Sequence, residues 1–218
     1  MDVMYTIVEF FVQGGFFMYP ILLAFAIGVA IAIERYVTLT LLTKRNEAAW
    51  TQVQPLLAKR EFDKARELTS ADNSTVSQLL NMGLERQGAV RRRDDIEIAM
   101  EECMMEILPQ LEKRTGYVGL AANVATLLGL LGTIMGLIQA FTAVANANPA
   151  EKADLLGAAI AVAMNTTAFG LLVAIPLLVV HHVLNTKTAQ IVAGLEMASV
   201  KMLNAIQSTA KRQFQVAA

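Results

Sequence analysis

Residues 115–150 read TGYVGLAANVATLLGLLGTIMGLIQAFTAVANANPA, and residues 155–186 read LLGAAIAVAMNTTAFGLLVAIPLLVVHHVLNT. Neither stretch contains Lys, Arg, Asp or Glu. About 20 apolar residues cross the hydrocarbon core of a bilayer, so each is long enough to span one. Yet both carry threonines and small residues along one face. A simple anchor has no use for buried hydroxyls, and a proton carrier working alone would need a carboxylate or histidine at mid-depth. The polar lining is present without the titrating group, which reads as half of a machine.

The rest of the chain supports a membrane reading. Its 218 residues are 55% hydrophobic and 17% charged, with a mean hydropathy of +0.48. The charge is partitioned rather than balanced. Of 18 Lys and Arg residues, 13 lie in Arg35–Arg114 and four follow Thr186, leaving only Lys152 between the two uncharged stretches. The run Arg91-Arg92-Arg93 is followed by Asp94, Asp95 and Glu97, so it reads as a solvated helix start and not as a nucleic-acid patch. Cys103 is the single cysteine, which excludes an intrachain disulfide, and it reads as a small apolar filler. Residues 1–15 lack Lys and Arg and carry Asp2 and Glu9, unlike a signal peptide.

The expected fold is an all-α integral membrane protein with three transmembrane helices and long cytoplasmic helical extensions. Residues 1–16 form an outer-face amphipathic segment and 17–42 the first span, with Pro20 in its opening turn, where a missing amide proton costs little. Residues 43–114 form a cytoplasmic helical region, 115–146 the second span, 147–154 a periplasmic hairpin, 155–185 the third span and 186–218 a cytoplasmic C-terminal helix. Basic-residue bias puts the N-terminus outside and the region after the first span in the cytoplasm. Apolar stripes at Ile96, Met100, Met104, Ile107 and Leu111, and at Ile191, Leu195, Ala198, Met202 and Ile206, predict that spans two and three continue as helices into the cytoplasm. No break is expected between residue 94 and the second span, although Pro109 should bend the helix there.

In the second span Ala122, Thr126, Gly129, Thr133, Gly136 and Ala140 recur at spacings of three and four, making one face of small or hydroxylated residues. Ala159, Ala163, Thr167, Gly170 and Ala174 trace a matching stripe in the third, with Asn165 and Thr166 beside it. Such faces also occur simply because they let membrane helices pack closely, and a Thr hydroxyl can bond back to its own helix. Two complete stripes, each with a mid-span Thr, favour a wetted or partner-filled lumen. Thr133, Thr167, Thr126, Thr166 and Asn165 are its candidate polar lining, and Gly129, Gly136, Ala159, Ala163 and Gly170 its candidate small-residue face. Glu34, His181 and His182 read as boundary or headgroup-level residues. No nucleophile–base pair, metal cluster or phosphate loop is apparent, so an enzyme and a bound cofactor are not expected.

Gly129-Leu-Leu-Gly-Thr-Ile-Met-Gly136, followed by Asn165-Thr-Thr-Ala-Phe-Gly-Leu-Leu-Val-Ala-Ile-Pro176, resembles the paired signatures of the MotA/TolQ/ExbB proton-channel family. Gly14-Gly-Phe-Phe-Met-Tyr-Pro20 and Glu34-Arg35 look like its ExbB-type branch. The resemblance implies a ring, a homopentamer around two copies of an ExbD/TolR-like single-span partner whose helix carries a membrane aspartate. It implies protons as the coupling ion, with threonines at the positions of Thr133 and Thr167 beside the path. The location implied is the bacterial inner membrane, with a TonB-like protein as a further partner and TonB-dependent outer-membrane transport as the output. TolQ-like envelope maintenance, a gliding motor and a non-conducting scaffold are the alternatives. ExbB members carry a glutamate five residues before the third-span Thr, where this chain has Val162. The partner aspartate would then be the only intramembrane carrier.

Overall fold

A computed structural model describes residues 11, 14–89 and 93–217. Most of the expected outer-face segment, and Arg91 and Arg92, lie outside the described residues. Every regular element among the described residues is a helix: α1 (Met18–Lys59), α2 (Phe62–Ala71), α3 (Thr75–Ala89), α4 (Arg93–Glu112), α5 (Thr115–Asn146) and α6 (Lys152–Ala217). Three helical stretches, Met18–Lys59, Asp94–Ala145 and Lys152–Ser208, are long and apolar enough to cross a membrane. At 32 residues α5 alone is about 48 Å long, against about 30 Å of hydrocarbon.

The chain divides into two compact units, Met1–Arg35 with Arg114–Val183, and Tyr36–Lys113 with Leu184–Ala218. The first contains the uncharged stretches apart from residues 184–186. Its outward surface carries large apolar side chains such as Leu23, Leu127, Phe141 and Leu172, each more than 60% exposed. An apolar surface of that extent belongs against lipid or another chain. Inside this unit, Val118, Ala121, Ala122 and Ala125 of α5 are buried, as are Ala163, Val173, Ala174 and Leu177 of α6.

The second unit is a helical cluster with an apolar core of its own. Both predicted stripes point inward: Ile96, Met100, Ile107 and Leu111 of α4 are buried, and so are Ile191, Leu195, Ala198 and Met202 of α6. Fully burying each large aliphatic or Met side chain contributes roughly 1.5–3 kcal/mol. Gly83 of α3 lies where Met100 and Met202 converge. A Cβ there would come within 2.6 Å of Met202 Cε and 2.7 Å of Met100 Sδ. The start of α3 is doubly satisfied. The Asn46 side-chain carbonyl accepts from the Val76 amide (3.3 Å) and the Thr75 hydroxyl (3.0 Å), while Ser74 Oγ accepts from the Ser77 amide (3.2 Å).

One boundary differs from the sequence expectation. The first helix, α1, runs unbroken from the expected span into the region expected to be helical, as far as Lys59, and ends in a Schellman motif. There Arg60 is left-handed (φ 62°), its amide donating to Leu57 O (3.1 Å) and the Glu61 amide to Leu56 O (3.0 Å). The expected continuous helix through residue 114 is instead interrupted between α4 and α5. Arg114 adopts φ 65°, and α5 restarts with the Tyr117 amide donating to Arg114 O (3.1 Å). A left-handed non-glycine residue costs roughly 1–2 kcal/mol. The exposed Arg114–Glu34 ion pair at 3.4 Å contributes about 0–1 kcal/mol and does not offset that alone. The restart sets the register in which Thr115, Val118 and Ala122 face inward. Pro109, by contrast, sits within α4 without ending it.

Candidate functional site

The small-residue stripes meet each other within the first unit. A Cβ on Gly170 would lie 2.8 Å from Ala125 O and 3.1 Å from Gly129 Cα. One on Gly129 would lie 3.3 Å from Gly170 Cα, and one on Gly136 would lie 2.9 Å from Ala163 Cβ and 3.7 Å from Ala159 O. With no side chain between them, the α5 and α6 backbones approach closely, which is how membrane helices gain van der Waals contact without a hydrophobic driving force. Gly129, Gly136, Ala159, Ala163 and Gly170 are thus gathered along one seam of this chain.

One threonine crosses that seam. The Thr167 hydroxyl donates to Gly129 O at 2.8 Å. Thr166, 2% exposed, turns instead to the segment before α1, donating to Gly14 O at 2.6 Å with Val162 O also in range at 2.9 Å. Gly15 next to it has φ +74°, a conformation open to glycine at little cost, so the double glycine shapes the turn that meets Thr166. Thr166 also closes over Gly132, where an added Cβ would meet Thr166 Cγ2.

On α5, Thr133 is half-buried and donates to Leu130 O at 2.6 Å, while the exposed Thr126 donates to Ala122 O at 3.1 Å. Seven residues apart, these two share one side of the helix. Asn165 is half-buried and, two residues from Thr167, lies about 160° away from it round α6. The five polar candidates therefore divide. Thr126 and Thr133 form an α5 edge, Thr167 sits at the seam, Thr166 faces Gly14, and Asn165 lies on another side.

A hydroxyl carries one donor and two acceptor positions. In Thr126, Thr133 and Thr167 the proton is committed to a main-chain carbonyl, so what each oxygen still offers is acceptor capacity. That suits a group arriving with a proton: water, hydronium or a protonated carboxylic acid. The described residues contain no group of three or more His, Cys, Asp or Glu able to hold a metal ion.

Residues 71–197 match the family model described as the MotA/TolQ/ExbB proton channel family, which is more than half of the chain. The chain belongs to this family. It is similar to the putative biopolymer transport protein ExbB homolog of Methanothermobacter thermautotrophicus, at 27% identity over 91% of this chain and 70% of the relative. It is 40% identical to biopolymer transport protein exbB1 of Vibrio cholerae over 34% of this chain and 32% of that protein. It is 33% identical to the Tol-Pal system protein TolQ of Haemophilus influenzae over 41% of this chain and 39% of that one. Its ExbB-like character and its place among membrane channel proteins follow from these matches and the three apolar helices.

The sequence reading placed His181 at headgroup level and did not single out Gly119, and both residues extend the seam. Gly119 lies three residues before Ala122 and extends the α5 stripe by a turn. His181, seven residues after Ala174, extends that of α6. They meet: a Cβ on Gly119 would lie 3.0–3.2 Å from the His181 ring. The Thr166–Gly14 bond had no local signal, since it joins residues 152 positions apart.

Proposed function

We propose that this chain is the ExbB-like subunit of a motor in the bacterial inner membrane, driven by the proton-motive force. In this reading a homopentamer encloses two copies of an ExbD/TolR-like single-span partner whose membrane aspartate carries the proton. The N-terminus is periplasmic and the C-terminus cytoplasmic. The output is TonB-dependent outer-membrane transport, through a TonB-like protein. The coupling ion is the proton, with no bound cofactor and no enzymatic reaction.

The observation that carries this reading is the pairing of charge-free spans with hydroxyls whose protons are already committed. A Thr oxygen with spare lone pairs accepts from a protonated carboxylic acid and favours its neutral form at that station. It releases the acid when the carboxylate re-forms and moves on. Thr126 and Thr133 then form the relay edge, with Thr167 at the seam as a further acceptor, and the small-residue seam holds the two helices that carry them. Val162 supplies no carboxylate, which leaves the partner aspartate as the titrating group.

A TolQ-like output is the second reading, favoured by the similarity to the Haemophilus influenzae TolQ protein. Reconstitution with the single-span partner tests the shared core of both. Proton uptake by proteoliposomes is expected only when chain and partner are present together. Equal uptake without the partner, or none with it, would reject the motor in favour of a scaffold or a different channel.

A further inference from the structure

The Thr166 hydroxyl lies within reach of two carbonyls, and one of them is remote in sequence. It has a single proton, with Gly14 O at 2.6 Å and Val162 O of its own helix at 2.9 Å. A threonine inside a helix is satisfied by the second alone. Thr166 is buried, and valine would fill the same volume there without a polar group to bury. The first bond accounts for the hydroxyl, because Gly14 is itself buried and its carbonyl needs a donor. That bond is one of several contacts made by the residues before α1 within the first unit. The Phe11 ring meets Phe169 of α6 edge-on, with centroids 4.9 Å apart. A Cβ on Gly15 would lie 3.6 Å from Val162 Cγ1, and one on Gly132 would lie 3.5 Å from Phe17 Cβ. Phe11, Gly14, Gly15 and Phe17 therefore form a strap around Thr166 that touches both α6 and α5.

We propose that Thr166 is a positioning residue: by latching this strap it fixes the rotation of α6 that turns Thr167 toward Gly129. The two threonines stand about 100° apart round α6 and are tied to different elements, one to the strap and the other to α5. Hydrogen bonds tolerate only small displacements, so α6 cannot turn about its axis without breaking both. Release of the strap leaves the Thr166 proton paired to Val162 O, so the hydroxyl is not orphaned, but α6 loses one of its two ties. The acceptor lone pairs of Thr167 then lose their fixed direction. This role rests on the proton-relay reading above. Every contact it uses lies inside one chain, so the neighbouring copies of a ring leave it in place.

The test uses the full chain with 4-fluorophenylalanine in place of Phe169, assembled with its single-span partner. Fluorine NMR in detergent reads the strap, because the Phe11 ring displaces the Phe169 resonance, and Phe11→Ala marks its position without that ring. Thr166→Val removes one buried hydrogen bond, which should lower strap docking roughly five- to tenfold and move the resonance toward the Phe11→Ala position. Proton flux in proteoliposomes, at matched amounts of assembled complex, should fall about threefold in Thr166→Val. It should fall likewise in Phe11→Ala, which leaves both threonines in place. Thr166→Ser keeps the hydroxyl and should restore resonance and flux. Wild-type flux in Thr166→Val or in Phe11→Ala would overturn the proposal, as would failure of the serine to rescue. Reduced flux in Thr166→Val with an unmoved resonance would also overturn it, because the hydroxyl would then serve the proton directly. No flux from the wild-type complex would instead reject the motor reading, and this role with it.

Discussion

The Thr167 hydroxyl donates across the α5–α6 seam to Gly129 O at 2.8 Å, where small residues bring the two backbones together. One residue thus holds the helix pair and presents an acceptor oxygen beside it. Interhelical hydrogen bonds of this kind average about 0.6 kcal/mol in a membrane protein. Thr167→Val should therefore lower the thermal midpoint in detergent only slightly, and Thr167→Ser should restore it. A collapse of the folded chain in Thr167→Val would mean the bond carries far more of the seam than this.

The close backbone approach at Gly170 predicts a sharper effect. Gly170→Ala places a Cβ 2.8 Å from Ala125 O, a main-chain atom that cannot rotate away. Overpacking of this sort costs typically about 1–3 kcal/mol. Gly157→Ala, on the same helix with open space around it, should be neutral or stabilising by up to about 1 kcal/mol. Parallel unfolding curves in detergent compare the two. Equal stability of both variants would contradict the packed seam.

At the end of α1, Arg60 holds the left-handed position of a Schellman motif, where glycine is favoured. Arg60→Gly should stabilise the second unit by about 1 kcal/mol, read as a higher thermal midpoint. The exposed bond from Arg60 Nη2 to Ser208 Oγ at 3.3 Å is weak enough that its loss should not reverse the sign.

Low pH should loosen the start of α3. Burial raises the Asp72 pKa, but the Ser74 and Ser77 hydroxyls (both 2.6 Å) and the Ser74 and Asn73 amides outweigh it, leaving the carboxyl below its ordinary value. The folded state therefore favours the ionised form. Its contribution is complete above the unfolded pKa of about 3.9 and is lost as pH falls through the lower folded value. Amide exchange in residues 72–78 should accelerate over that acid window in the wild type. Asp72→Asn should lose this acid-dependent component. The same exchange profile in both would assign the acid sensitivity elsewhere.

Much of this architecture is legible in the residues, because lipid and water impose strong patterns. Charge-free runs mark the spans, and the 3–4 spacing of Ile96 to Leu111 and of Ile191 to Ile206 marks the faces that the second unit buries. The helix restart at Arg114 was not legible. Lys113 and Arg114 lack the Gly or Pro that normally announces a break, and tertiary register overrides local preference there. Within the site, composition identified the threonines but not their directions. Thr166 and Thr167 are adjacent in sequence and about 100° apart round α6, so one meets Gly14 and the other Gly129. Only the fold distinguishes them.

The central claim is that hydroxyls at mid-span serve proton transfer as well as packing. Thr133 is the best place to test it, because its hydroxyl bonds to Leu130 O of its own helix and the seam does not depend on it. Thr133→Val keeps the shape and removes the oxygen. The measurement is proton flux in proteoliposomes containing the chain and its single-span partner, at matched amounts of assembled complex. A lost hydrogen bond of about 1 kcal/mol or more to a protonated acid predicts a fall of roughly five- to tenfold. Wild-type flux through fully assembled Thr133→Val complexes would contradict the account.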